Sequence, residues 1–175
     1  MNGLDRVEAG YDVVVVGARA AGAATAMLLA RRGLRVLAVD RGAYGTDTLS
    51  SHYEDEVIDI PIKPRDGVPG LFAPRRTVLD RVLVDAAVEA GADVRHRVRL
   101  ADLVRGAGGR VEGAVVQDAD GGERTVRAGI VIGADGLRST VASLVGAPVT
   151  RQGRHAAAAM VAFAANSLLY RGALD

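Results

Sequence analysis

The stretch from Tyr11 to Arg41, YDVVVVGARAAGAATAMLLARRGLRVLAVDR, decides the fold. Tyr11 to Val16 is a largely β-branched run that stops at Gly17, the pattern of a central parallel strand buried on both faces. An alanine-rich stretch from Ala20 to Arg32 follows and predicts a helix. Met27 and Leu28, a turn beyond Ala23, supply part of its apolar stripe, and Gly33 stands where a C-terminal cap belongs. Leu34 to Val39 is the next strand. Strand, helix and strand joined this closely form a βαβ unit, which takes the right-handed crossover.

Within that unit each glycine has a mechanical reading. Gly17 permits the tight turn that leaves the first strand, and Gly22 lets the helix pack closely on the sheet. The free backbone N–H groups at the helix start then face a pyrophosphate. Asp40 ends the second strand, where its carboxylate can accept hydrogen bonds from both hydroxyls of an adenosine ribose and would repel a 2′-phosphate. Arg19 stands where the middle glycine is usual. Its Cβ must point outward, and its guanidinium can fold back over the pyrophosphate or the cofactor side of the cleft.

Composition narrows the function. The chain has 175 residues, room for one main domain with a real core. Its 22 basic residues nearly cancel 21 acidic ones, so no broad positive field draws nucleic acid or an anionic membrane. With no tryptophan and few aromatics, a stacking platform for single strands has little to be built from. The absence of cysteine removes disulfides, thiolate catalysis and zinc-thiolate sites, and fits a cytoplasmic protein. MNGLDRVEAG at the start has neither basic region nor apolar core, so it is not a secretory signal. The apolar run 156–165 is well short of the ~20 residues of a membrane-spanning helix.

Further along, residues 41–76 are rich in Gly, Pro and Asp and irregular, except for an alternating set at Val57, Ile58, Ile60 and Ile62 that suggests a strand or hairpin. His52 lies in this polar loop, where a solvated histidine is the simpler reading. Thr77 and Asp80 have capping-box spacing, and Val78, Leu79, Val82, Leu83 and Ala86 form the apolar face of a helix that Gly91 ends. Arg75 and Arg76 then sit just before a helix N-terminus, a hint of phosphate. Between Asp93 and Ala128, GAGG at 106–109 and DADGG at 118–122 punctuate a three-stranded antiparallel meander. Ile130 to Ile132 predicts a buried strand, followed by a sharp Gly-Ala-Asp-Gly turn and a helix from about Ser139. Asp135 is again an acid at a strand end, on the carboxyl edge where ligands cross such sheets. His96 in a charged strand and His155 beside arginines read as solvated.

The order GARAAG, VDR, PRRTVLDRVLVDAA and IVIGADGLRSTV, over about residues 11–147, resembles the FAD-dependent oxidoreductases of the para-hydroxybenzoate hydroxylase type, with their geranylgeranyl reductase and halogenase relatives. The resemblance implies an α/β, Rossmann-like FAD-binding domain with a parallel sheet and an antiparallel β-meander crossover. It implies that Gly17, Ala20, Ala21 and Gly22 line the pyrophosphate loop, with Arg19 matching a variant of that loop, that Asp40 holds the adenosine ribose, and that Arg19 and Arg41 of the VDR motif are cofactor-binding as well. Arg76 matches the family's FAD-contacting arginine, and Asp135 and Gly136 lie by the pyrophosphate and ribityl chain. Arg138 and Ser139 match fingerprint positions that either touch cofactor or brace the loop. No catalytic side chain and no metal is implied; NAD(P)H is the reductant and a small organic molecule the substrate.

Two family features are missing from this sequence: a third Gly-Asp motif and a substrate domain with a large sheet. The expectation is therefore a piece of a longer flavoprotein, with a FAD-binding domain over 1–163, a missing segment near His52 and Tyr53, and a remnant of a further segment over 164–175. The alanines from Ala156 onward favour a helix where the family has a strand. An NAD(P)H-dependent flavin monooxygenase is the first functional expectation. A geranylgeranyl reductase-like or halogenase-like enzyme is the alternative, and a non-catalytic nucleotide-binding fragment the third.

Overall fold

A computed structural model describes residues 4, 7, 10–44 and 76–149. His52, Arg75, His155, the alternating set at 57–62, the expected missing segment near His52 and Tyr53 and the expected boundary at 163/164 lie outside the described residues. The chain separates into a unit of residues 1–145 and a second of 146–175, of which 146–149 are described.

The first unit begins with the expected βαβ: β1 (Gly10–Val16), α1 (Ala20–Ala30) and β2 (Val36–Asp40). It continues through α2 (Arg76–Glu89), β3 (Asp93–His96), β4 (Arg99–Arg105), β5 (Val111–Gln117), β6 (Glu123–Gly133) and the short α3 (Thr140–Leu144). One mixed sheet joins the six strands in the order β3-β2-β1-β6-β5-β4. β1 runs parallel to β2 and β6, and β2 parallel to β3. β4, β5 and β6 form the antiparallel meander.

β6 is the pivot. Its first half pairs antiparallel with β5, from Gln117↔Glu123 to Gly113↔Arg127, and its second half pairs parallel with β1, up to Val16↔Gly133. The last meander strand and the strand expected at Ile130–Ile132 are thus a single continuous element. β3, expected near the start of the meander region, instead extends the parallel side of the sheet.

β1 is buried on both faces, as its sequence predicts. Val13 and Val15 pack with Ala26 and Ala30 of α1, Ala38 of β2 and Ala87 of α2. Val14 and Val16 pack on the other face with Leu37, Val39, Val116, Val126 and Val141. Burial of these side chains contributes roughly 25 cal/mol per Å² of apolar area.

The helix faces differ from expectation. In α1 the buried stripe is Gly22, Ala23, Ala26 and Ala30, while Leu28 is 56% exposed. Small side chains bring the helix axis close to the sheet, so the larger residues turn outward. In α2 the buried positions are Asp80, Val84 and Ala87, and Val78 and Val82 of the expected apolar face are exposed. α2 lies against α1 and β3, which rotates its contact stripe away from the most apolar ridge. Ile130 is exposed as well, since no described element covers that end of β6 beyond the reach of α1.

Candidate functional site

β1, β2 and β6 are mutually parallel and neighbours, so their carboxyl ends share one rim, with the β1–α1 loop between Asp40 and Asp135. Gly17 N donates to Val39 O at 2.8 Å, and Ala134 N donates to Val16 O at 2.7 Å. These bonds continue the sheet into the loops and hold both glycine motifs at a common height.

The glycines are required by contacts that local sequence does not reveal. Gly17 has φ +97°, and a Cβ there would stand 2.4 Å from Ala134 O. A Cβ on Gly22 would stand 1.7 Å from Gly17 O and 3.2 Å from Ala134 Cβ. The first loop therefore nests on the second loop and on its own helix. The two fingerprints, distant in sequence, form one packed unit.

The start of α1 fits a phosphate group. Arg19 is the N-cap, its side chain makes no capping hydrogen bond, and no acid lies in the first turn. Ala23 N makes the first intrahelical bond, to Arg19 O at 2.7 Å, so the preceding amides of the turn are left for an outside acceptor. Ala20 is half-buried and Ala21 exposed along this turn, leaving room above the backbone. The Arg19 guanidinium reaches to 3.6 Å from where a Gly42 Cβ would stand. It leans toward the Asp40 side of the rim.

Asp40 is buried, with Oδ2 accepting from Ala18 N at 2.9 Å and Oδ1 from Gly42 N at 2.7 Å. The carboxylate clamps the two loops that meet at the head of β2. Each oxygen keeps further acceptor capacity for a ribose hydroxyl, because a carboxylate offers about four lone-pair sites. Asp135 is committed differently. Its Oδ1 accepts from Ser139 Oγ at 2.6 Å and its Oδ2 from Thr140 N at 2.6 Å, while Ser139 Oγ accepts from Ala142 N at 3.0 Å. Asp135 and Ser139 thus cap α3 together and brace the turn that leads into it. Gly136, at φ +85°, leaves open space where a Cβ would stand. Arg138 is exposed.

Arg76 is the first residue of α2 rather than a residue ahead of it, and its Nη2 donates to Asp80 at 3.1 and 3.3 Å. Asp80 therefore serves this ion pair and not a capping box with Thr77. Arg76 stays half-exposed, its direction set by a buried acid.

His96 corrects the solvated reading. It ends β3 as the register partner of Asp40, with its ring edge-on to Tyr44 at 5.5 Å. Both ring nitrogens are buried and lack a hydrogen-bond partner of good geometry among the described residues. Burial holds its pKa below the ordinary histidine range, with Asp40 and the Gly42 backbone opposing that in part. Tyr44, a residue the sequence did not single out, donates to Asp85 at 2.7 Å and lies under Arg81. Among the described residues no helix is long and apolar enough to cross a membrane.

Comparison with known proteins gives the family. The family model of an FAD binding domain matches residues 72–171. The chain is similar to an uncharacterized protein from the nifH2 5′ region of Methanosarcina barkeri, at 31% identity over 84% of this chain and 94% of that one. It is also similar to the digeranylgeranylglycerophospholipid reductase of Methanosarcina mazei, at 32% identity over 78% of this chain and 40% of the reductase. Among solved structures, aklavinone-11 hydroxylase in complex with FAD and aklavinone superposes with a TM-score of 0.58 at 26% identity, covering 78% of this chain and 35% of the hydroxylase. The chain thus spans well under half the length of the reductase and the hydroxylase.

Proposed function

The chain belongs to the family of FAD-binding domains of flavin-dependent oxidoreductases, and we propose that it holds FAD stretched along the rim from Asp40 to the 133–136 turn. The observation that carries this reading is the uncapped start of α1, packed by Gly17 and Gly22 against the second motif and flanked by an acid on either side. In this reading the first-turn amides, with Arg19 leaning over them, hold the diphosphate. Asp40 accepts from the adenosine ribose, with Arg41 beside it. Gly136 admits the ribityl chain close to the backbone, and Asp135 keeps that turn rigid. Arg76, steered by Asp80, reaches toward the same cofactor.

Bound FAD would supply the redox chemistry, and the protein's part is to bind, orient and exclude water. For the whole protein we infer an NAD(P)H-dependent monooxygenase acting on a small organic substrate. The likeness to aklavinone-11 hydroxylase supports it. A reductase of prenyl double bonds is the second reading, favoured by the match to digeranylgeranylglycerophospholipid reductase over 78% of this chain. A halogenase on the same scaffold belongs with this second class.

Reconstitution with FAD tests the first claim. The expected result is a yellow protein that releases FAD on denaturation; a colourless protein after reconstitution refutes it. D40N is expected to weaken FAD binding about tenfold or more, because an amide must turn its NH₂ toward the Ala18 or Gly42 N–H. Substrate-dependent oxygen uptake separates the monooxygenase from a reductase, which saturates a double bond without inserting oxygen.

A further inference from the structure

Arg41, Arg97 and Arg99 line one depression of about 300 Å³, together with Gln117, Asp118 and Gly121. The three arginines come from different elements: the exit of β2, the β3–β4 turn and the start of β4. Two backbone bonds bring them together, Arg97 N to Gly42 O and Val98 N to Asp40 O, both at 3.0 Å. Asp40 clamps the α1 loop while Arg41, the next residue, lines this depression.

The charge in the depression is unbalanced. Asp118 is buried, and its Oδ1 is turned into its own bend, accepting from Asp120 N at 3.1 Å and Gly122 N at 2.8 Å. Arg99 is engaged with the Gln117 side-chain oxygen. Neither Arg41 nor Arg97 makes a side-chain hydrogen bond or ion pair among the described residues. Arg97 is also the one non-glycine among them with a positive φ, +57°. An L-residue held in that region is strained, and such strain concentrates where a side chain must be presented. Three guanidinium groups gathered around a single carboxylate, itself hydrogen-bonded into its own bend, repel one another, and a polyvalent oxyanion relieves this with paired N–H donors.

We propose that this depression is a phosphate-monoester site, separate from the start of α1, that takes the phosphate of a second ligand. A phosphate monoester is close to dianionic at neutral pH and offers three strong acceptor oxygens. The same chemistry is presented by the 2′-phosphate of a nicotinamide dinucleotide and by a lipid whose glycerol phosphate carries no further headgroup. This inference does not require FAD to bind where proposed above.

Calorimetric titration of the full chain, with and without FAD, tests it using adenosine 2′-monophosphate against adenosine, and glycerol 3-phosphate against glycerol. At least one phosphate is expected to bind about tenfold or more tightly than its alcohol, with the advantage shrinking as salt rises. Preference for the nucleotide assigns a nicotinamide source, and preference for glycerol 3-phosphate a lipid one. The double variant R97Q/R99Q is expected to lose the advantage. R97G controls for folding: glycine relaxes the backbone at φ +57°, so the melting temperature holds or rises while phosphate affinity falls. Absence of phosphate preference in the unsubstituted chain, or full retention of it in R97Q/R99Q, overturns the proposal.

Discussion

Gly22 cannot acquire a side chain without displacing backbone, because the added carbon would sit 1.7 Å from Gly17 O. G22A is therefore expected to destabilise the chain by ~1–3 kcal/mol or more and to lower FAD retention, checked by chemical denaturation and flavin content. The position of this glycine is legible from the sequence, but its contact with the second motif is not, since Ala134 is brought there only by the pairing of β6 with β1. Asp40 is equally legible as an acid closing a strand. His96 is not, because its burial depends on Tyr44 and on the register with Asp40. The sign of its pH effect follows. A histidine held neutral by folding binds a proton less readily than the unfolded chain does, so stability is full above an unfolded histidine's 6.5 and falls as pH drops through that value. H96F is expected to flatten the pH dependence of the denaturation midpoint on the acid side; an unchanged slope would refute this account.

The helices show how packing overrides apparent amphipathicity. α1 carries alanines and leucines, and hydrophobicity alone points its larger residues inward. The sheet instead receives Ala23 and Ala26, both fully buried, and leaves Leu28 outside. A26L is expected to cost ~1–3 kcal/mol by overpacking, whereas L28A stays within about 0.5 kcal/mol of the parent, both read from urea midpoints. The opposite ordering would mean that the helix is rotated. β6 offers the complementary lesson: nothing in ERTVRAGIVIG says that one strand can serve a meander at its start and a parallel sheet at its end. Alternation predicts strand type and face, but partners are chosen by the fold around it. The end of β6 at Ile130 and the Val78–Val82 ridge stay exposed for the same reason: apolar positions are buried only where another element arrives.

In the first unit the carboxyl rim of the sheet is held by long-range backbone bonds, and a ligand lying along it should stabilise folding by linkage. Excess FAD at about 100 times its dissociation constant is expected to add ~2.7 kcal/mol to the unfolding free energy, measured as a shift in thermal midpoint with FAD concentration. No shift across the titration would refute binding to the folded state. The order of elements from β1 to β2, the glycine turn, the strand-end acids and the family were determined by the sequence itself, because each rests on local backbone preference or on spacing along the chain. Tertiary structure alone decided which helix faces are buried, that Gly17 and Gly22 lock the two motifs together, that Asp135 caps α3, and that Arg41 meets Arg97 and Arg99. The physical reason is that close approach, desolvation and charge imbalance belong to pairs of residues far apart in the chain, and they come into being only when the sheet assembles.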